Sequence, residues 1–327
     1  MLPGNAMQIK ELCDLFKNTR RRCHLVGDEQ AGVLVGLDLE GRLYAIAEGE
    51  VLNRVNPEAL EGQSTKDGFL NPGGDGLWPA PEGSRLGYEY ATGQWRVPPG
   101  LTGARYRVTD TGPGMAVVQA EIDLINSNGL GMPMVFERRI SVTKKSVPVG
   151  KAVRVLVCEC MKYLGRRPLP RTEATIAPWT LAQFDSGPGA EVVFPGRPDM
   201  PIHDFYDPST DRRRYDGKLW RTRTDGSGPR YQIGLEPEVP WIEYRYPARG
   251  LTVRRMAAPV APGLEYMDIA DRQPDCNQQP LFIRYSVYSD PSGFMEIEAA
   301  GGAPAVLTPE MSLELSVETT YFIEKPQ

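Results

Sequence analysis

PLFIRYSVYSDPSGFMEIEAAGG, residues Pro280 to Gly302, reads as two strands folded back on the turn Asp290-Pro291-Ser292-Gly293. Polar and apolar residues alternate on both sides of that turn, the period-two pattern of a strand with one face buried. Within FMEIEAAGG the alternation puts Phe294, Glu296 and Glu298 on one face and turns Met295 and Ile297 to the core. On an open sheet face the two glutamates are simply solvated. If that face lines a cleft, two adjacent carboxylates raise one pKa and supply a general acid or base.

The same period runs outward in both directions. MSLELSVETTYFIE (311–324) is a further long strand, and YQIGL (231–235), WIEYRYP (241–247) and LTVRRMA (251–257) precede the turn. EATIAPWTLAQFDSGPGAEVVFP (173–195) reads as a strand, a Pro-Gly corner and a second strand, with Trp179 and Phe184 aimed at the core or a cleft. Earlier come ARYRVTDTG (104–112), MAVVQAEIDLIN (115–126), MVFERRISVTK (134–144) and the β-branched run AVRVLVCECMKYL (152–164). GVLVGLDLEGRLYAIA (32–47) is a strand pair joined at Glu40-Gly41. Residues 196–230 are the least regular part.

Helical spacing occurs in MQIKELCDLFKNTRR (7–21), where Ile9, Leu12, Leu15 and Phe16 share a face and Lys17 and Arg20 suit the negative end of the helix dipole. Many antiparallel strands at short spacing with one helix define an all-β chain, a large sandwich or barrel. No repeat and no linker divides it. The expected organisation is an N-terminal helical segment over 1–24 and a single β domain over 25–327.

Composition narrows the function classes. The chain has 327 residues, 41% hydrophobic and 24% charged, with a net charge of −5, which gives no electrostatic footprint for nucleic acid. The basic runs Arg20–Arg22 and Arg212–Arg214 are isolated and read as solvated edges. No apolar run has the length of a membrane span, so neither a nucleic acid nor a membrane is an expected partner. The five cysteines, Cys13, Cys23, Cys158, Cys160 and Cys276, contain no CxxC pair and read as buried free thiols. That pattern fits a reducing compartment and a cytoplasmic location, with a periplasmic one left open should a leader have been removed. Two histidines give a zinc site little to build from, and the spacing of Asp207, Asp211 and Asp216 does not match a calcium loop. No metal and no cofactor is expected.

The chemistry therefore has to come from converging polar residues, and one stretch concentrates them. FLNPGGDGLWPAPEGSRLGYEY (69–90) carries Asp75, Trp78, Glu82 and Arg85 among glycines and prolines, and reads as a long ordered loop. Its residue types are those a sugar site uses. The C–H face of a sugar ring packs on an aromatic plane, and its hydroxyls take bidentate partners from carboxylates and arginine. Trp95, Trp179, Trp220 and Trp241 are further platforms or core residues.

Three separated segments carry a resemblance. GGDGLWPAPEGSR (73–85) resembles the Gly-Gly…Pro…Gly-Arg loop of the aldose 1-epimerase (galactose mutarotase) superfamily, and is closest to the uncharacterised bacterial mutarotase-like families with a Gly-Gly-x-x-Leu-Trp-x-Ala-Pro-Glu loop. IAPWTLAQFDSGPGAEVVFP (176–195) is similar to the Ala-Pro-Trp strand and following turn of those families. VYSDPSGFMEIEAAGG (287–302) with LTPEMSLELSVETTYFI (307–323) is similar to their closing strands.

The resemblance implies a large antiparallel β-supersandwich that binds carbohydrate in a cleft, with aldose epimerase or isomerase activity on a sugar or sugar derivative. In such epimerases a glutamate takes the anomeric hydroxyl proton while a histidine protonates the ring oxygen. By position Glu298 corresponds to the base, with Glu296 next, and Arg85 to the substrate-binding arginine. The Asn-His segment of the family is missing, so His203 stands as the acid, and Asp75 occupies a place where mutarotase-like families often have histidine. The expected site is then Glu298 and His203 as catalytic residues, with Asp75, Trp78, Glu82, Arg85, Glu296 and Trp179 binding the sugar. The alternatives are a non-catalytic carbohydrate-binding protein, and a glycoside hydrolase or lyase using Asp75 and Glu82 as its acidic pair.

Overall fold

The computed structural model describes residues 7–65, 68–83, 86–87, 97–145, 151–269 and 281–324. Two large antiparallel sheets face each other. In the front sheet the spatial order is Cys23–Asp28, Ala31–Gly36, Arg42–Ala47, Asp75–Ala80, Ala177–Asp185, Phe294–Ala300, Tyr285–Asp290, Tyr231–Leu235 and Ile202–Asp204, with Glu50–Val51 added beside Arg42–Ala47. The back sheet also has ten strands among the described residues, and its centre is built from Leu251–Ala257, Ser312–Ile323, Lys151–Tyr163, Gly131–Lys145 and Met115–Ile125. The chain is an all-β sandwich.

Alternation decides which side of each front strand meets the back sheet. Met295, Ile297 and Ala299 point inward with Ala182, Phe184, Val287 and Ile233, all at most 1% exposed. Each large apolar side chain so buried contributes about 1.5–3 kcal/mol. The rings of Phe184 and Tyr244 stack across the two sheets at 5.2 Å.

A buried ionic cluster sits in this apolar layer. Arg138 bonds Glu159 and Asp75 at 2.5 and 3.0 Å, and Arg255 reaches the other oxygen of Asp75 at 3.0 Å. Thr180 donates to Asp75 at 2.5 Å. Burial alone would raise the Asp75 pKa, but Arg255 and Arg138 outweigh it and hold the carboxyl below the usual carboxylate range.

The strand pair read at Glu40-Gly41 forms as expected. Both residues take left-handed φ values, 55° and 63°, and Arg42 N–H bonds Leu39 O at 3.0 Å. A Cβ at Gly41 would also lie 2.7 Å from the Tyr106 ring. The N-terminal helix runs Ile9–Asn18, with Glu11 accepting from Gln8 N–H at 2.8 Å. Its buried face, Ile9, Leu12 and Phe16, packs on Leu34, Tyr44, Ile46, Val51 and Leu60. Of these, Leu34, Tyr44, Ile46 and Val51 are strand residues that point away from the sandwich core, so the helix covers the outer face of the front sheet over its first strands. The first strand starts at Cys23, inside the stretch assigned to the helical segment.

The stretch 69–90 departs from its reading as a loop. Asp75–Ala80 is a strand in the middle of the front sheet, paired over six residues with Ala177–Asp185. Pro79 has no N–H to give a ladder, so its place inside a strand needs a reason. It is tolerated because it faces Pro178, and because the neighbour on its other side is in register only at Leu43–Asp75.

Cys13, Cys23 and Cys158 are half-buried free thiols and Cys160 is a buried one, while Cys276 lies outside the described residues. No helix among the described residues is long and apolar enough to cross a membrane.

Candidate functional site

The outer face of the front sheet carries two side-chain rows across its strands. Gly76, Leu181, Glu298, Ser286, Gly234 and His203 stand in line in one row. Gln183, Glu296, Tyr288 and Gln232 stand in line in the next. Over the middle of both rows lies a cavity of about 340 Å³. Its floor holds Leu181, Gln183, Gln232, Glu296 and Glu298; its walls include Phe69, Trp78, Trp179, Tyr206, Tyr288 and Phe294, with Arg42, Asn71, Glu82 and Arg230.

The floor is organised around the two glutamates. They are two apart on one strand, on the same face, and their carboxyl groups share a hydrogen bond. Glu298 is fully buried and accepts from Trp179 Nε1 at 3.1 Å and from the Gln232 amide at 3.1 and 3.2 Å. Glu296 accepts from the Gln183 amide, directly opposite it on the neighbouring strand. Burial pushes Glu298 well above the ordinary glutamate pKa, and the adjacent Glu296 charge raises it further. Burial also raises Glu296, partly offset by the hydrogen bonds from Glu298 and Gln183. Two buried carboxyl groups this close do not readily ionise together, so the pair retains a proton that belongs to both.

The walls combine aromatic planes with a positioned cation. Trp78 meets Trp179 edge to face at 6.2 Å and Phe69 at 5.9 Å. Arg42 lies 5.8 Å from the Trp78 ring and is held by Glu40 at 2.8 Å, both partners buried. Across the cavity Arg230 lies 4.4 Å over the Tyr206 ring. Trp78 Nε1 has no hydrogen-bond partner among the described residues.

The expected site residues divide. Glu298, Glu296, Trp78, Trp179 and Glu82 all line this one cavity, although they come from segments more than two hundred residues apart. Asp75 does not join them. It precedes Gly76 on its strand, and alternation turns its carboxylate into the sandwich, to Arg138 and Arg255. The Asp75–Glu82 acidic pair of a hydrolase or lyase therefore does not form. Arg85 lies outside the described residues.

His203 also stays outside the cavity lining. It sits on the short edge strand Ile202–Asp204, not in irregular chain, and its Nε2 is 2.9 Å from Glu236. Three strand steps separate it from Glu298, roughly 14 Å at the usual strand spacing. The Phe205 ring fills the intervening place above Gly234, where a Cβ would come within 2.6 Å of it.

Arg42, Gln183 and Gln232 were not anticipated. The two glutamines each carried a readable signal: a polar residue at an outward position of a strand whose inward neighbours are all apolar. Arg42 carried none, since an arginine after a hairpin turn usually points to solvent.

No protein-family model matches the chain, and no curated protein matches it in sequence. Among solved structures, the Slr1438 protein of Synechocystis sp. PCC 6803 superposes with a TM-score of 0.54 at 13% identity, covering 93% of this chain and 97% of its own. A galactose mutarotase-like protein from Clostridium acetobutylicum superposes with a TM-score of 0.54 at 10% identity, covering 92% and 95%. At such identities the likeness speaks for architecture alone: the chain has a galactose mutarotase-like fold.

Proposed function

We propose that the chain binds a carbohydrate ring in this cavity and exchanges its anomers by opening and reclosing the ring. The observation that carries the reading is the Glu296–Glu298 pair, two adjacent buried carboxyl groups on the floor of an aromatic-walled cavity. Opening an aldose ring requires a group that takes the anomeric hydroxyl proton and one that protonates the ring oxygen. A pair holding one proton supplies both roles. Trp78 and Trp179 offer planes for the C–H face of the ring, while Arg42, Gln183 and the Trp78 indole N–H offer partners for hydroxyls. A cavity of about 340 Å³ suits a monosaccharide or a chain end.

A second reading, sugar binding without turnover, is favoured by the lack of any histidine in the lining. Anomer exchange on freshly dissolved α-glucose and α-galactose, followed by polarimetry and NMR, separates the two. Exchange above the buffer rate supports the isomerase. A melting temperature raised by sugars without exchange supports the binding protein, and no response to any mono- or oligosaccharide removes both.

A further inference from the structure

We infer that Glu296, not Glu298, exchanges protons with the sugar, that Glu298 beside it is its proton reserve, and that the reaction uses no histidine. The inference rests on the anomer-exchange reading above and assigns its groups.

Three observations carry it. Both glutamates line the cavity floor, and Glu296 is the more exposed of the two, 7% against 0% for Glu298. Glu298 is tied to the floor by hydrogen bonds from Trp179 Nε1 and the Gln232 amide, beside Glu296. His203 is bonded to Glu236, with Phe205 between it and the floor. Among the described residues, the charged groups that face the pair are Arg42, Arg230 and Glu82 around the cavity and Asp290 on the neighbouring strand.

The proton inventory closes without a third group. The Glu296 carboxylate takes the proton from the anomeric hydroxyl. The freed electron pair forms the C1=O1 bond, the C1–O5 bond breaks, and its electrons go to the ring oxygen. The pair now holds two protons and returns one of them, through Glu296, to that oxygen. The two sugar oxygens share one carbon, so the two oxygens of a single carboxyl can serve both in turn. Glu298 refills or drains Glu296 along their hydrogen bond, and the pair ends with the one proton it began with. Rotation about C1–C2 and the reverse sequence give the other anomer.

The test is NMR exchange of α-glucose and α-galactose by the full chain and by Glu296→Gln, Glu298→Gln, the double variant and His203→Gln. The expected pattern is exchange at the buffer rate for Glu296→Gln and a loss of about 100-fold for Glu298→Gln with sugar affinity retained. The double variant should be no worse than Glu296→Gln alone, because the two act as a unit, and His203→Gln should stay within about twofold.

The inference is overturned if His203→Gln is as inactive as Glu296→Gln, or if Glu296→Gln keeps the parent rate. Exchange with that wrong pattern leaves the proposed function standing and removes only this assignment. No exchange by the parent protein removes both. Melting temperatures check that each variant folds; should Glu298→Gln not fold, Glu296→Gln and His203→Gln decide.

Discussion

The guanidinium of Arg42 lies against Gly76, so closely that a Cβ on that glycine would sit 2.8 Å from Cζ and Nη1. Gly76 opens the sheet floor just where a buried arginine crosses it toward Trp78. The arginine has little room to yield, because Glu40 and the Gly73 carbonyl hold it. Gly76→Ala should therefore overpack this site and lower stability by about 1–3 kcal/mol. Urea unfolding measures it; a loss of only a few tenths would mean that Arg42 swings aside freely.

Asp75 makes the opposite prediction to the one its place in the sequence suggests. Asp75→Asn leaves Arg255 without its acid in a dry layer, where removing one member of a buried ion pair costs about 3–5 kcal/mol. Sugar affinity, measured where the variant is still folded, should stay within about twofold of the parent. Lost affinity with intact stability would place Asp75 in the binding site after all.

Glu298 should leave a mark on the pH dependence of folding. Its pKa is raised in the folded state, so above the ordinary glutamate value of 4.5 the folded protein keeps a proton that the unfolded chain releases. Stability then falls as pH rises through that window, by about 1.4 kcal/mol per pH unit while the difference is one proton. Glu298→Gln should remove this contribution, flattening the profile between pH 5 and 8 relative to the parent. Glu159 is also raised by burial, but it is present in both proteins and cancels; Glu296, raised and bonded to Glu298, changes with it, so the comparison reads the pair. Parallel profiles would show that Glu298 is ionised throughout.

Trp78→Phe keeps an aromatic plane and deletes the indole N–H. If a sugar hydroxyl or ring oxygen takes that donor, affinity should weaken by about 0.5–1.5 kcal/mol, the net worth of one hydrogen bond. Titration calorimetry with a sugar that stabilises the parent protein reads the change. An unaltered Kd would confine Trp78 to a packing role.

Much of this was legible because strand alternation is a two-state code. FMEIEAAGG told which way Glu296 and Glu298 face, and the structure has Met295 and Ile297 inside as that code requires. The same code applied to DGLWPA would have turned Asp75 away from Trp78, but the prolines and glycines around it concealed a strand. The misreading had a local physical cause: the facing of Pro79 and Pro178 is a long-range fact, and nothing within six residues of Pro79 announces it. His203 failed for a related reason. Its type suited the chemistry, yet only the order of strands across the sheet reveals that it lies at the far edge, paired with Glu236.

The N-terminal helix has a consequence of its own. Leu34, Tyr44 and Ile46 point out of the front sheet, and Ile9, Leu12 and Phe16 are what they meet there. A protein shortened to begin after Asn18 would carry that oily patch into water, beside the strands that hold Arg42, and contiguous greasy surfaces of this kind drive self-association. The helix thus covers one part of the sheet's outer face, while the cavity lies over another.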